Sequence, residues 1–314
     1  MSIQFDFRTW GGDDGEYVLD FVRELEIPAV ATLHAIPRKP TIRQQAILAD
    51  LIASVDAAVV MSPSATTLLA SGYGVDPSRL DVIPHGVPDL PLAEPTVIKA
   101  ALGLEGRDVI LSFGLLGPDK GHELVLEALP AVVAAHPAAS YVIVGATHPD
   151  LLQQDGERYR DALAAQVKRL GMTNHVRFVD TFAHRVEMTR WLQAADVVVT
   201  PYPDLDQTVS GSLSYAMGAG RAIVSTPYTY AADLLADGRG VLVPAATPKR
   251  FAAALNEVLD DAELRATLGR RAYEYSRTMV WSEVGAQYRR LFERVGAAAS
   301  VPAAAPSVFA TLNP

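Results

Sequence analysis

The chain has 314 residues, a formal net charge of −9, 49% hydrophobic residues and no cysteine. This length fits two ordinary domains with full cores, while the missing cysteine excludes a disulfide framework, a thiolate zinc site and a cysteine nucleophile. The acidic balance speaks against a nucleic-acid binder; no apolar run reaches the roughly 18 residues of a membrane-spanning helix, and the opening M-S-I-Q-F-D-F-R-T-W-G-G lacks a signal-peptide pattern, so the expectation is a soluble cytoplasmic protein.

Strand and helix patterns alternate almost throughout. A possible strand at 2–7 leads to a helix at 15–25 and the strand A-V-A-T-L (29–33). A helix at 42–54 precedes the strand A-A-V-V-M (57–61), and a helix at 64–71 precedes a strand at 80–83. The proline-rich P-D-L-P-L-A-E-P then opens a linker, 88–107. Beyond it come strands at 109–113, 141–145, 176–179, 197–200, 222–225 and 240–243. Helical patterns at 121–135, 157–170, 185–194, 211–219 and 229–236 separate them, and 248–259, 262–277 and 282–295 follow. Near-continuous apolar strands separated by helices predict parallel sheets covered on both faces. The tail 297–314 is low-complexity Ala/Pro and is expected to be disordered. The fold class is therefore α/β, with two Rossmann-like units in series and the first one small.

Open parallel sheets bind ligands beyond the carboxyl ends of their strands. After strand 109–113 comes G-L-L-G-P-D-K-G (114–121), which opens a helix. Its glycines Gly114 and Gly117 admit a close ligand, the helix start offers free N–H groups, and Lys120 adds a full charge. That combination suits a diphosphate, or is an ordinary turn with a solvated lysine. After strand 80–83 comes Pro84-His85-Gly86, at the junction of the units. His85 there either donates to a phosphate or sugar oxygen, or caps a strand end. His34 ends the strand at 29–33 on the edge where a cleft would open, as a ligand contact or a structural histidine.

After strand 197–200, the stretch T-V-S-G-S-L (208–213) starts a helix. Ser210 and Ser212 there, around Gly211, either cap it or contact phosphate. Asp204 and Asp206 form a D-x-D that is read as chance rather than a metal site. His122, His136, His148, His175 and His184 lack ligand spacing and are expected on surfaces. There is no nucleophile elbow, Walker A motif or G-x-G-x-x-G.

The order of V-I-P-H-G-V (82–87), F-G-L-L-G-P-D-K-G, V-R-F-V (176–179), A-D-V-V-V-T-P (195–201), S-L-S-Y-A-M-G-A-G-R-A-I-V-S-T (212–226) and G-R-G-V-L-V-P (238–244) resembles the family 4 glycosyltransferases, or glycosyl transferases group 1. The resemblance covers about 80–295 and is strongest over the second unit. It implies the GT-B fold, with two Rossmann-like domains facing across a cleft. Residues 1–87 would be a partial, acceptor-side domain and 108–280 the nucleotide-sugar domain. Residues 281–296 would be a terminal helix crossing back to the first domain.

By that resemblance, Lys120 contacts the donor diphosphate within the loop of Gly114 and Gly117. Pro84, His85 and Gly86 close the first domain at the cleft, and Asp180, Thr181 and Phe182 receive the nucleobase. Two family glutamates are replaced by Gln207 and Tyr215. Gln207 can still bond sugar hydroxyls, and Tyr215 can donate to an oxygen but cannot hold a ribose diol as a carboxylate does. Leu115 stands where an arginine is frequent, and Gln4-Phe5-Asp6 where a histidine is frequent. The first domain is also short, as if from a truncated gene or misassigned start, with an open sheet edge and a thin core expected.

The implied activity is retaining transfer of a hexose from a UDP- or GDP-sugar to a carbohydrate or lipid-linked acceptor. No metal or other cofactor is expected. His34, His85, Lys120 and Gln207 are the candidate catalytic residues. Gly86, Gly114, Gly117, Lys120, Asp180, Thr181, Phe182, Gln207, Ser210, Gly211, Ser212 and Tyr215 are the candidate donor-binding set. The alternatives are a non-catalytic nucleotide-sugar-binding partner subunit, or degenerate enzyme, and a GT-B epimerase.

Overall fold

The computed structural model describes residues 1–182, 185–245 and 247–299. The first sheet holds β1 (Ser2–Phe5), β2 (Val30–Leu33), β3 (Ala57–Val60) and β4 (Leu80–Val82) in that order. All its pairings are parallel, with Phe5 opposite Leu33 and Val60 opposite Val82. Every residue of β2 and β3 is buried, as a sheet covered on both faces requires.

Helices α1 (Tyr17–Arg23), α2 (Ile42–Ser54) and α3 (Pro63–Tyr73) cover one face. Val18, Leu48, Leu51 and Leu69 meet Phe5, Leu33 and Val60 there. A reciprocal pair starts α2: the Thr41 hydroxyl accepts from the Gln44 N–H, and the Gln44 side chain accepts from the Thr41 N–H. This capping box satisfies two amides that the helix itself cannot.

The second unit runs α4 (Thr96–Ala101), β5 (Asp108–Phe113), α5 (His122–Ala135), β6 (Ala139–Val144), α6 (Pro149–Asp155), α7 (Arg158–Arg169) and β7 (Val176–Val179). It continues with α8 (Arg185–Ala194), β8 (Val197–Thr200), α9 (Gly211–Gly218), β9 (Ala222–Ser225), α10 (Thr229–Leu234), β10 (Val241–Leu242), α11 (Pro248–Asp260) and α12 (Ala262–Ser276). Its parallel sheet has the order β10-β9-β8-β5-β6-β7. The winding direction reverses between β5 and β8, which opens a crevice at their carboxyl ends. Leu126, Leu129, Phe251 and Leu255 pack on one face, and Leu192, Leu213, Met217 and Leu234 on the other.

The last helix, α13 (Trp281–Ala299), returns to the first sheet. Its Val284, Leu291 and Val295 pack on Val30, Val59 and Ile83. The Tyr288 and Thr32 hydroxyls meet at 2.9 Å, and Arg294 pairs with Asp81 at 2.5 Å. At the crossing, the Val87 N–H donates to the Met279 carbonyl (2.8 Å) and the Trp281 N–H to the Val87 carbonyl (3.0 Å).

Three local expectations change. The segment 88–107 contains α4, because Pro95 precedes a short helix-forming run whose Lys99 pairs with Asp196 at 2.6 Å. A second unexpected helix, α6, starts behind His148 and Pro149. The final helix reaches Ala299 rather than 296, and the rest of the expected tail lies outside the described residues.

Candidate functional site

The site forms where β5, β6 and β8 end. After β5 the chain turns at Gly114, and the end of β6 comes directly against it. A Cβ at Gly145 would overlap the Gly114 carbonyl oxygen, so only glycine permits this approach. An apolar cavity of about 160 Å³ opens there, lined by Gly114, Leu115, Gly145, Thr181, Phe182 and Met188 among others. Its lining is almost wholly apolar.

Farther along the same loop, a 3₁₀ turn at Pro118–Lys120 ends at Gly121, whose φ is 63°. A Cβ at Gly121 would overlap the Pro201 carbonyl oxygen just beyond β8. The Lys120 turn is thereby laid on the 201–203 backbone. Lys120 pairs with Asp119 at 2.6 Å, and its ammonium stands 5.0 Å from the centre of the Tyr202 ring.

Lys120 faces a larger cavity of about 550 Å³ whose walls come from both units. The first unit contributes Asp6, Arg8, His34, Arg38 and Lys39; the second contributes Asp119, Lys120, Asp204, Asp206 and Gln207. Cations and carboxylates are balanced here. Asp206 stands 3.6 Å from Arg38, and Asp6 3.7 Å from Arg8. An anionic ligand entering this space competes with built-in carboxylates for lysine and arginine.

The residues singled out in the sequence fall into three groups. His34, Lys120 and Gln207 share the large cavity. His34 Nε2 meets Gln4 Oε1 at 2.7 Å, and Gln207 Nε2 donates to the Val209 carbonyl at 2.8 Å. Gly114, Thr181 and Phe182 share the apolar cavity. A third group lies at the start of α9. There the Tyr215 ring meets the His85 ring edge-on at 5.8 Å, and a Cβ on Gly211 would sit 3.2 Å from His85 Nε2. His85 Nδ1 bonds the Gly86 carbonyl at 2.8 Å, and Gly86 packs on the Trp281 ring.

Several candidates have their polar atoms committed inside the fold. Ser210 caps α9, accepting from the Leu213 N–H at 3.2 Å. The Ser212 hydroxyl donates to the Phe113 carbonyl at 2.9 Å, tying α9 to the end of β5. Asp180 pairs with Arg160 at 2.8 Å, and Gly117 begins the Lys120 turn.

Burial lowers the pKa of both His34 and His85 below the ordinary histidine range; nearby Asp6 partly offsets this for His34, and the Gly86 carbonyl does so for His85. Both imidazoles are therefore neutral at pH 7 and can donate from one nitrogen and accept at the other.

Two histidines differ from their expected surface positions: the His136 side chain is 13% exposed beside Asp260, and His122 is more deeply buried. His122 is 3% exposed, and its Nδ1 meets the Tyr141 hydroxyl at 2.9 Å. Burial holds its pKa down at about 3, with the Lys120 charge acting the same way. His184 lies outside the described residues. Sequence reasoning also missed Arg8, Arg38, Lys39 and Tyr202. The first three come from loops after β1 and β2 that only tertiary packing brings to Lys120. Tyr202 was findable, because P-Y-P follows β8 directly at its carboxyl end. Among the described residues, no group of three or more His, Asp or Glu side chains is placed to hold a metal ion, and no helix is long and apolar enough to cross a membrane.

Comparison with known proteins places this architecture. Residues 107–261 match the family described as glycosyl transferases group 1, and residues 14–89 match glycosyltransferase family 4. The phosphatidyl-myo-inositol mannosyltransferase of Mycolicibacterium smegmatis is 30% identical over 277 residues, covering 87% of this chain and 67% of that protein. A D-inositol 3-phosphate glycosyltransferase of Jonesia denitrificans is 28% identical over 301 residues, covering 88% and 68%. In three dimensions, the chain resembles Anabaena HepE, solved with UDP-glucose: TM-score 0.74, 19% identity, 93% of this chain and 78% of that one. The chain belongs to the family 4, group 1 glycosyltransferases, and its two parallel-sheet units facing across a cleft have the GT-B fold.

Proposed function

We propose that this glycosyltransferase moves a hexose, with retained anomeric configuration, from a UDP- or GDP-sugar to a carbohydrate or lipid-linked acceptor. The carrying observation is the position of Lys120. It sits at the carboxyl end of β5, facing a cavity walled by both units, beside an apolar cavity that fits a base. The nucleobase enters against Thr181 and Phe182, and the diphosphate lies between Lys120 and the start of α9. The relative solved with UDP-glucose supports such a donor. The relative named a phosphatidyl-myo-inositol mannosyltransferase supports a lipid-linked acceptor.

The chemistry follows from this placement. The bond from the anomeric carbon to the diphosphate breaks as the acceptor hydroxyl approaches on the same face. The departing phosphate oxygen takes the acceptor proton. Lys120 and the first N–H groups of α9 stabilise the charge developing on the leaving group. His85 gives its Nδ1–H to the Gly86 carbonyl, so its Nε2, over Gly211, accepts from a hydroxyl of the donor, and neutral His34 holds a substrate hydroxyl across the cleft. Gln207 bonds the sugar without adding charge. No side-chain nucleophile and no metal ion takes part.

A melting panel with UDP, GDP and their sugar forms tests the donor. A ligand at about 100 times its Kd stabilises the fold by about 2.7 kcal/mol. Selective stabilisation by one base, with release of its diphosphate when acceptors are added, is the expected result. Binding without turnover over a broad acceptor panel would instead favour a partner-subunit role.

A further inference from the structure

Just beyond β8, the donor reading leaves one buried side chain without a role. Tyr202 is 4% exposed, and its ring stacks on Tyr228 with centroids 5.0 Å apart and planes 22° apart. The Thr226 hydroxyl donates to its backbone carbonyl at 2.6 Å. The ring is thus fixed from below and along the chain. It also meets Lys120, which lines the large cavity, and the residue that caps α9. The Lys120 ammonium stands 5.0 Å from its centre, and the Ser210 hydroxyl, which caps α9, reaches its phenol oxygen at 3.5 Å.

We propose that Tyr202 is a positioning residue for the donor diphosphate, its ring keeping the Lys120 ammonium in place once that group leaves Asp119. The inference rests on the reading of Lys120 as the diphosphate contact. Asp119, the other partner of Lys120, is 2.6 Å away and carries a full negative charge. A diphosphate has to displace it. An aromatic face attracts a cation through its quadrupole but adds no net charge to the site. The lysine therefore keeps its whole positive charge for the ligand while one side of it stays held. Locking the ring against Tyr228 spares the ligand the cost of ordering the lysine stem.

Titration calorimetry with UDP and GDP tests this on the full chain and on Tyr202→Phe, Tyr202→Leu, Lys120→Ala and the double variant Lys120→Ala/Tyr202→Leu. Tyr202→Phe keeps the aromatic face and should bind within about twofold of the unmodified chain. Tyr202→Leu should bind about three- to thirtyfold more weakly, the range of a cation–π contact. In the Lys120→Ala background, the same Leu change should have no further effect. A loss of equal size in both backgrounds would overturn the positioning role and leave Tyr202 as packing for α9. If Tyr202→Leu does not melt cooperatively, phenylalanine carrying one, two and three ring fluorines at position 202 replaces it. Affinity should then fall stepwise with fluorination, and a flat series would overturn the proposal. Failure of the unmodified chain to bind either nucleotide would overturn the donor reading, and this inference with it.

Discussion

The two sheets differ in where their cover comes from. The six-stranded sheet is covered on both faces by helices from its own stretch of chain, including α5, α11, α8 and α9. The four-stranded sheet has its own α1, α2 and α3 on one face only. Its other face is closed by α13, contributed from the far end of the chain. Gly114, Lys120 and α9, the proposed donor elements, therefore sit on a self-sufficient unit. The cleft's opposite wall, with His34, Arg38 and Lys39, depends on a helix borrowed across the junction.

Removing that helix gives the largest expected effect. Val284, Leu291 and Val295 are buried on the first sheet. At about 1.5–3 kcal/mol for each buried apolar side chain, their loss approaches the 5–15 kcal/mol total stability of a typical domain. A chain ending after Val280 should lose hydrogen-exchange protection in β2 and β3 while β5 and β6 keep theirs. Equal loss in both sheets would remove the distinction drawn here.

The next effect is confined to the second unit. Gly145→Ala forces a methyl group into the Gly114 carbonyl, backbone that cannot swing away. Overpacking of this kind costs about 1–3 kcal/mol. The melting temperature should fall, and nucleotide affinity should drop if the cavity beside Gly114 takes the base as proposed. An unchanged nucleotide titration would separate that cavity from binding.

Much of this contrast was legible in the residues. The strands were found because runs such as V-V-V-T and A-V-A-T-L are apolar and β-branched between turn residues. The Lys120 loop was found because its glycines and lysine are adjacent in sequence. The helices α4 and α6 were not, since T-V-I-K-A-A and P-D-L-L-Q-Q-D are too short to repeat a helical period. Arg8, Arg38 and Lys39 were missed because their relation to Lys120 exists only after the units meet. His122 was misread because its partner, the Tyr141 hydroxyl, comes from the next strand. Ser210 and Ser212 stand at the helix start expected from the sequence, and local capping and the Phe113 carbonyl take up their hydroxyls.

His122 supplies a pH test of the self-sufficient unit. Its pKa is about 3 in the fold, against about 6.5 in an unfolded chain. The unfolded chain therefore takes the proton first. Stability is fully present above pH 6.5 and falls as pH drops toward 3, by about 1.4 kcal/mol per pH unit. His34 and His85, lowered the same way, add to this slope in urea melts from pH 7 to 4.5, so His122→Asn should make the dependence shallower without abolishing it, and an unchanged slope would contradict the assignment. The smallest effect belongs to the rim of the cleft. Asp206→Asn removes a half-exposed pair with Arg38 at 3.6 Å, a contact worth about 0–1 kcal/mol. Nucleotide affinity should be nearly unchanged with or without magnesium. A large loss that appears only when magnesium is present would revive the D-x-D as a metal site.

The central claim is that Lys120 binds the donor diphosphate, and calorimetric titration of UDP and GDP into the unmodified chain and Lys120→Ala tests it most directly. The account predicts that one of the two nucleotides binds. It also predicts that the alanine variant weakens that binding by about 1.5–3 kcal/mol, the worth of a charge-assisted hydrogen bond, with the difference shrinking as salt rises. Equal affinity of the two chains, at both low and high salt, would contradict it.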